Sequence, residues 1–399
     1  MTNRRTLLAG ALGAATLASL APASAVSAHG GSTRGALVLV GGSLADDNTA
    51  IYGEIIRRAG GARARIGVIT AASVPPSQDP DAGTPDASNS EANGAYYADL
   101  LRLHGAGTAT WIPVDLDHIA DADSPALAAQ VESMTGFFFG GGDQFRYITT
   151  LLHGDAHTDS LVLAAIRRRH AQGAVIAGSS AGAQIHQGAD MVTGGESYNA
   201  VRDGSLPGYF DDPDVSGYWP AGGFGFLTSG LLDTHFTAYG RLGRAITLAR
   251  TTGHHRVYGL DPNTALIVEA PRTRDEHARV VGEGGISVLD LRDGVRWSYL
   301  TEGYRYQPGT WRALAPQRVR PLGRTGPATV APSENIFGDY AAIDLALALA
   351  GSRADRATGV TAQTDPQFTV EFVKTNRFAA YTADGTTAES FLDLTVRLG

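Results

Sequence analysis

Five small residues in a row, Gly178-Ser179-Ser180-Ala181-Gly182, follow an apolar run at residues 174–177. Gly-x-Ser-x-Gly between a strand and a helix is the pattern of a sharp turn that holds a serine hydroxyl exposed at a strand end; glycine serves where backbones approach closely. That hydroxyl becomes a nucleophile only when a base accepts its proton and dipoles receive the developing oxyanion. Two other stretches offer such parts. Phe137-Phe138-Phe139-Gly140-Gly141-Gly142 ends an apolar run in three glycines, where backbone N–H groups can converge on an anion, and Asp143 beside them is expected to fix the loop. Residues 230–245, GLLDTHFTAYGRLGRA, supply His235 near Asp233, with Arg241 and Arg244 three apart on one expected helix face. The chemistry these residue types point to is acyl transfer through a serine ester.

Few other residues carry chemistry. His153 and His157 stand four apart, a spacing that would hold a metal on a helix, but Gly154 weakens a helix there and no third ligand follows. Gly222-Gly223-Phe224-Gly225-Phe226 precedes a strand-like stretch instead of joining strand to helix, so it is no dinucleotide fingerprint. The triple glycine lacks the Gly-Lys-Ser/Thr ending of a phosphate loop. His254-His255 read as a surface turn. No metal and no cofactor is expected. The chain has no cysteine, which excludes thiol nucleophiles, thiolate metal sites and disulfides.

A serine, a histidine and a glycine loop from distant parts of the chain need a frame that gathers strand ends. Short apolar runs at residues 35–44, 64–73, 108–116, 136–144 and 174–178 alternate with segments of helical spacing, among them residues 50–61, 92–103, 125–133 and 161–173. Such alternation predicts an α/β fold with a mostly parallel sheet flanked by helices on both faces, and in such sheets sites lie at the carboxyl ends of strands. A Pro-, Asp- and Ser-rich insertion at residues 73–94 reads as a long surface loop near the site. Beyond Asp261 the patterns change to hairpins, which close a first domain spanning residues 34–310. A Pro/Arg-rich connector is expected over residues 311–332, and an α+β extension over 333–399.

The chain has 399 residues and 43% hydrophobic content, enough for a full core. Its net charge of −8 and the lack of any long Lys/Arg run give no nucleic-acid surface. The N-terminus pairs Arg4 and Arg5, continues with an apolar segment from Leu7 to Leu20 and offers small residues at Ala23, Ala25 and Ala28. That order predicts an export signal over residues 1–28, the Arg pair indicating the twin-arginine route, and hence a secreted protein without stable membrane insertion. Losing two arginines and no acid makes the mature charge −8 − 2 = −10.

The motifs, taken together and in order, resemble the cyanophycinase group of serine peptidases, relatives of peptidase E on a fold similar to class I glutamine amidotransferases. The likeness runs from about Gly35 to Asp290 through VGGSL, VITAAS, FFFGGGDQ, GSSAGA, GFGFL before DTHF, GRLGR and YGLDPNTAL. The resemblance implies Ser180 as nucleophile, His235 as general base and the N–H groups of Gly142 and Ala181 as oxyanion hole. It implies Gln144, Asp233, Thr234, Arg241 and Arg244 as substrate contacts, and a cyanophycin-like polypeptide as partner, with homodimers frequent in the family. An aspartyl-arginyl polymer would call for cations and anions side by side. Three positions depart from the family pattern: Thr234 replaces a glutamine, Tyr239 an arginine, and Pro262 the glutamate that orients the histidine. That leaves Asp261, another acid, or a Ser–His dyad. The altered contacts keep two alternatives open, an isoaspartyl or Asp-directed serine peptidase with another substrate, and an extracellular binding protein with a degenerate site.

Overall fold

The computed structural model describes residues 35–399; the expected export signal lies outside the described residues. The expected alternation of strands and helices builds the centre of the first of two large sheets. Thr108–Trp111, Arg65–Ile69, Gly136–Phe139, Val175–Ser179 and Leu37–Val40 lie side by side in that order, all parallel. The four inner strands are buried along almost their whole length because both faces are covered, whereas the edge strand Thr108–Trp111 alternates exposed and buried residues. Along Leu37–Val40, Leu37 and Leu39 pack into one core with the helices Pro125–Glu132, Gln144–Leu151 and Leu161–Ala171. Val38 and Val40 pack into the opposite core with Thr49–Ala59 and Ser90–Leu103. The helix starts are set locally: Asn48, Asn89, Ser124, Asp143 and Ser160 each accept a backbone N–H of the first turn through their side chains.

The expectation of one mostly parallel sheet needs correction. Four antiparallel strands, Thr264–Glu269, His277–Gly282, Arg305–Gln307 and Arg312–Leu314, extend the sheet from Leu37–Val40, so it is mixed. A second, mostly antiparallel sheet runs in the order Leu231–Asp233, Arg256–Leu260, Gly285–Asp290, Val295–Thr301, Ser390–Leu398, Thr369–Val373 and Arg356–Val360. The reason is connection length. Strands joined by a few residues can only pair antiparallel, since a parallel return needs a crossover of a dozen or more. Two residues, Glu283 and Gly284, carry the chain from His277–Gly282 in the first sheet to Gly285–Asp290 in the second.

The C-terminal residues are built into this second sheet. Ser390–Leu398 pairs with Val295–Thr301 on one side and Thr369–Val373 on the other. The helix Ala341–Ala350 packs beside Leu242–Thr252 in a core containing Trp297, Phe372 and Phe391. In the Pro/Arg-rich stretch, Arg312–Leu314 joins the first sheet and Arg320–Pro321 the second. The described residues, 35–399, fall within one compact unit. No helix of the described residues is long and apolar enough to cross a membrane.

Candidate active site

The carboxyl ends of three parallel strands meet where the serine stands. Ser180 follows Val175–Ser179 with φ 57° and ψ −122°, a strained conformation for a residue with a side chain, and the helix Ala181–Gln184 begins directly after it. The small neighbours have steric causes. A Cβ on Gly178 would lie 2.0 Å from the Gly182 carbonyl oxygen, and one on Gly182 would lie 2.1 Å from that of Phe139. The triple glycine borders the same point: a Cβ on Gly141 would lie 3.4 Å from the Ser180 Cβ. Gly142 is held at φ 138° with its α-carbon against the Ala72 carbonyl. Asp143 fixes this loop, as expected. Its Oδ1 accepts the Phe145 N–H at 2.8 Å and its Oδ2 the Tyr209 hydroxyl at 2.6 Å.

The base comes from the other sheet. His235 follows Leu231–Asp233, and its Nε2 lies 2.9 Å from Ser180 Oγ. Buried amides register the two sheets against each other here. From the turn after the serine, the Gln184 amide nitrogen donates to the Leu232 carbonyl, while Gln187 Oε1 accepts the Leu232 N–H at 2.6 Å. The His235 N–H donates to the Gly41 carbonyl at 2.7 Å, and a Cβ on Gly42 would lie 2.1 Å from the imidazole, so Gly42 is what lets the ring in. Burial first, then the Arg241 guanidinium, push the His235 pKa down to about 4. The ring is therefore neutral at pH 7, as a proton acceptor must be. His186, close to Ser180 in sequence, cannot substitute for it: it is fully buried among Phe139, Phe224 and Phe226, with a pKa pushed down to about 3 by burial.

Asp261, a candidate for the third triad member, has its carboxylate bonded elsewhere than to His235. Its Oδ1 accepts the Thr237 N–H and hydroxyl at 3.0 and 2.7 Å, and its Oδ2 accepts the Tyr299 hydroxyl at 2.7 Å and the Gly285 N–H at 3.3 Å. These bonds hold together the turn carrying His235, and burial raises the Asp261 pKa despite them. His235 Nδ1 is buried without a hydrogen-bond partner. What faces the imidazole is Tyr239, its ring stacked on it at 4.8 Å with 4° between the planes.

The expected substrate contacts are close by but largely bonded to one another. Asp233 and Arg244 form a buried bidentate pair, with Nη2 to Oδ1 at 2.6 Å and Nε to Oδ2 at 2.8 Å. Burial works against the Asp233 charge, yet Arg244 and Arg241 hold its carboxyl below the usual range. Arg244 also donates to the Gly195 carbonyl at 2.7 Å. Arg241 donates to the Thr234 carbonyl, lies 5.0 Å from the Tyr239 ring centre and keeps 19% of its side chain exposed. Burial, then Arg244, push its pKa down to about 10. Thr234 is buried, and the Gln144 amide nitrogen donates to the Val192 carbonyl at 2.8 Å. His153 and His157 lie on a short hairpin, not a helix, and face Asp123 and Trp219 respectively. Gly42, Thr237 and Tyr299 escape sequence reading. Only the aromatic residue four after the histidine signals the Tyr239 stack.

Comparison with known proteins now adds a family. The model of peptidase family S51 matches residues 84–274, and the chain is 30% identical over 264 residues to a cyanophycinase of Synechococcus elongatus, covering 65% of this chain and 69% of that one. This chain belongs to peptidase family S51. A cyanophycinase of Trichormus variabilis is 28% identical to the S51 chain over the same length, covering 74% of the relative. A solved peptidase from an acI-B1 Actinobacterium shares 20% identity with a TM-score of 0.46, covering 69% of this chain and 97% of that one. S51 membership makes the protein a serine-type peptidase.

Proposed function

We propose that this S51 peptidase is exported and hydrolyses cyanophycin, an aspartyl backbone carrying arginine on its β-carboxyls, to β-Asp-Arg dipeptides. Ser180 Oγ attacks the scissile carbonyl carbon as its proton passes to His235 Nε2. The C–N bond breaks as that proton reaches the leaving amine; a water then attacks the ester carbon, giving a proton to His235, which passes it to Ser180 Oγ as the C–Oγ bond breaks. The N–H groups of Gly142 and Ala181 receive the oxyanion in both steps. The observation that carries this reading is the 2.9 Å contact between the Ser180 hydroxyl, on its strained turn, and a neutral imidazole.

One observation favours a second reading, an Asp-directed serine peptidase acting on another β-aspartyl substrate. Asp233 and Arg244 are bonded to each other, leaving Arg241 as the more accessible cation of the pair expected to hold aspartyl carboxylates. The test uses protein recovered from the culture medium, whose N-terminal sequence reads whether residues 1–28 have been removed. Incubation with insoluble cyanophycin should clear the suspension and release β-Asp-Arg, measured by mass spectrometry, and Ser180→Ala and His235→Ala should release none. Release that persists in Ser180→Ala would overturn the mechanism. No release from a protein whose Ser180 still reacts with a fluorophosphonate would overturn the substrate and leave the second reading.

A further inference from the structure

A histidine that accepts a proton from serine must keep its ring plane and tautomer fixed. In a triad a carboxylate at Nδ1 does both, and it also stabilises the imidazolium that forms. Here Nδ1 has no hydrogen-bond partner, Asp261 is engaged with Thr237, Tyr299 and Gly285, and Asp233 is paired with Arg244. The contact from Nε2 to Ser180 and the close approach of Gly42 hold one end of the ring, while no hydrogen bond holds the Nδ1 end, which is left free to tilt.

Tyr239 removes this freedom. Its ring lies parallel to the imidazole, and the Tyr239 N–H donates to the His235 carbonyl at 3.0 Å, so a one-turn backbone loop clamps the stacked pair together. Two further bonds pin the loop: the Arg241 N–H to the Phe236 carbonyl at 2.9 Å, and the Tyr340 N–H to the Thr237 carbonyl at 2.8 Å. The Arg241 guanidinium over the Tyr239 ring limits its movement as well. Tyr239 is 49% exposed, so burial in a core does not explain an aromatic side chain here. The π face of a tyrosine also attracts a cation, so it favours the imidazole in the protonated state that follows attack.

We propose that Tyr239 is the positioning residue of this site, its ring taking the place of the triad carboxylate by fixing the His235 plane and stabilising the imidazolium. The proposal rests on the Ser180–His235 reading above. It differs from substrate binding in what it predicts, because a positioning residue acts on kcat and on the reactivity of the serine, whereas a substrate contact acts on KM.

The experiment compares Tyr239→Phe, Tyr239→Leu and Tyr239→Ala, each checked for an unchanged thermal transition. It measures kcat and KM for β-Asp-Arg release, the rate at which a fluorophosphonate labels Ser180, and the pH profile of that labelling. The Phe variant should stay within about twofold of wild type. Leu and Ala should lose about tenfold in kcat and in labelling rate, the scale of one stacked ring pair, with KM little changed. Loss of the π face that favours the imidazolium should move their acid limb down. Equal activity in Leu and Phe would make the side chain mere bulk and overturn the proposal; Leu decides this even if Ala fails to fold. Wild-type rates in Ala and Leu, with Ser180→Ala and His235→Ala inactive, would overturn positioning and leave the Ser–His reading standing. Turnover that survives Ser180→Ala would overturn both.

Discussion

At the scale of single residues, the site is governed by the charge state of one imidazole. Burial and two guanidiniums disfavour protonation of His235, whose pKa is pushed down to about 4, while Asp233 favours it. The acid limb of kcat/KM should therefore lie near pH 4, well below the 6.5 of an ordinary histidine. Arg241→Ala removes a positive charge and a packed side chain from beside the ring, and both changes favour the imidazolium. Its acid limb should shift upward, and a pH–rate profile of the two proteins checks this. An unmoved limb would mean that Arg241 does not act on His235 electrostatically. The same crowding explains why expected substrate contacts face one another. In a buried wall a guanidinium and a carboxylate must be paired, and Asp233 and Arg244 are each other's nearest partners.

At the scale of elements, much was legible because the signals are local. A short apolar run ending in glycine reads as a buried strand with a close approach at its tip, and Leu37–Val40, Gly136–Phe139 and Val175–Ser179 all end that way. Their tips converge on Ser180. Gly182→Ala tests one of these close approaches. Its methyl would sit 2.1 Å from the Phe139 carbonyl oxygen, so strand and helix must separate. It should cost about 1–3 kcal/mol in chemical denaturation and abolish turnover, since the displaced helix carries Ala181. A variant as stable and active as wild type would show that the elbow tolerates movement. Long-range facts were not legible. Nothing near His235 says that its strand belongs to a different sheet from the serine's, and an acid 26 residues downstream reads as a triad member until its bonds to Thr237 and Tyr299 are seen. The hairpin character beyond Asp261 was visible, but the short Glu283-Gly284 link between sheets was not.

At the scale of the whole molecule, nucleophile and base stand on different sheets of one unit, so the site exists only while both sheets are folded and docked. Phe391, fully buried on Ser390–Leu398 against Trp297, anchors the second sheet. Phe391→Ala should cost about 3–5 kcal/mol, and loss of activity in urea should coincide with the change in tryptophan fluorescence. Activity that outlasts the fluorescence change would show that the sheets unfold independently. The place of Ser390–Leu398 between two other strands has a consequence in time. Val295–Thr301 leaves the ribosome with one edge unpaired, and its partner follows some 95 residues later, as the bond from Asp393 to Ser298 measures. At about 5–20 residues per second that edge waits for roughly 5–20 s, long enough for a chaperone to be needed to keep neighbouring nascent chains from pairing with it.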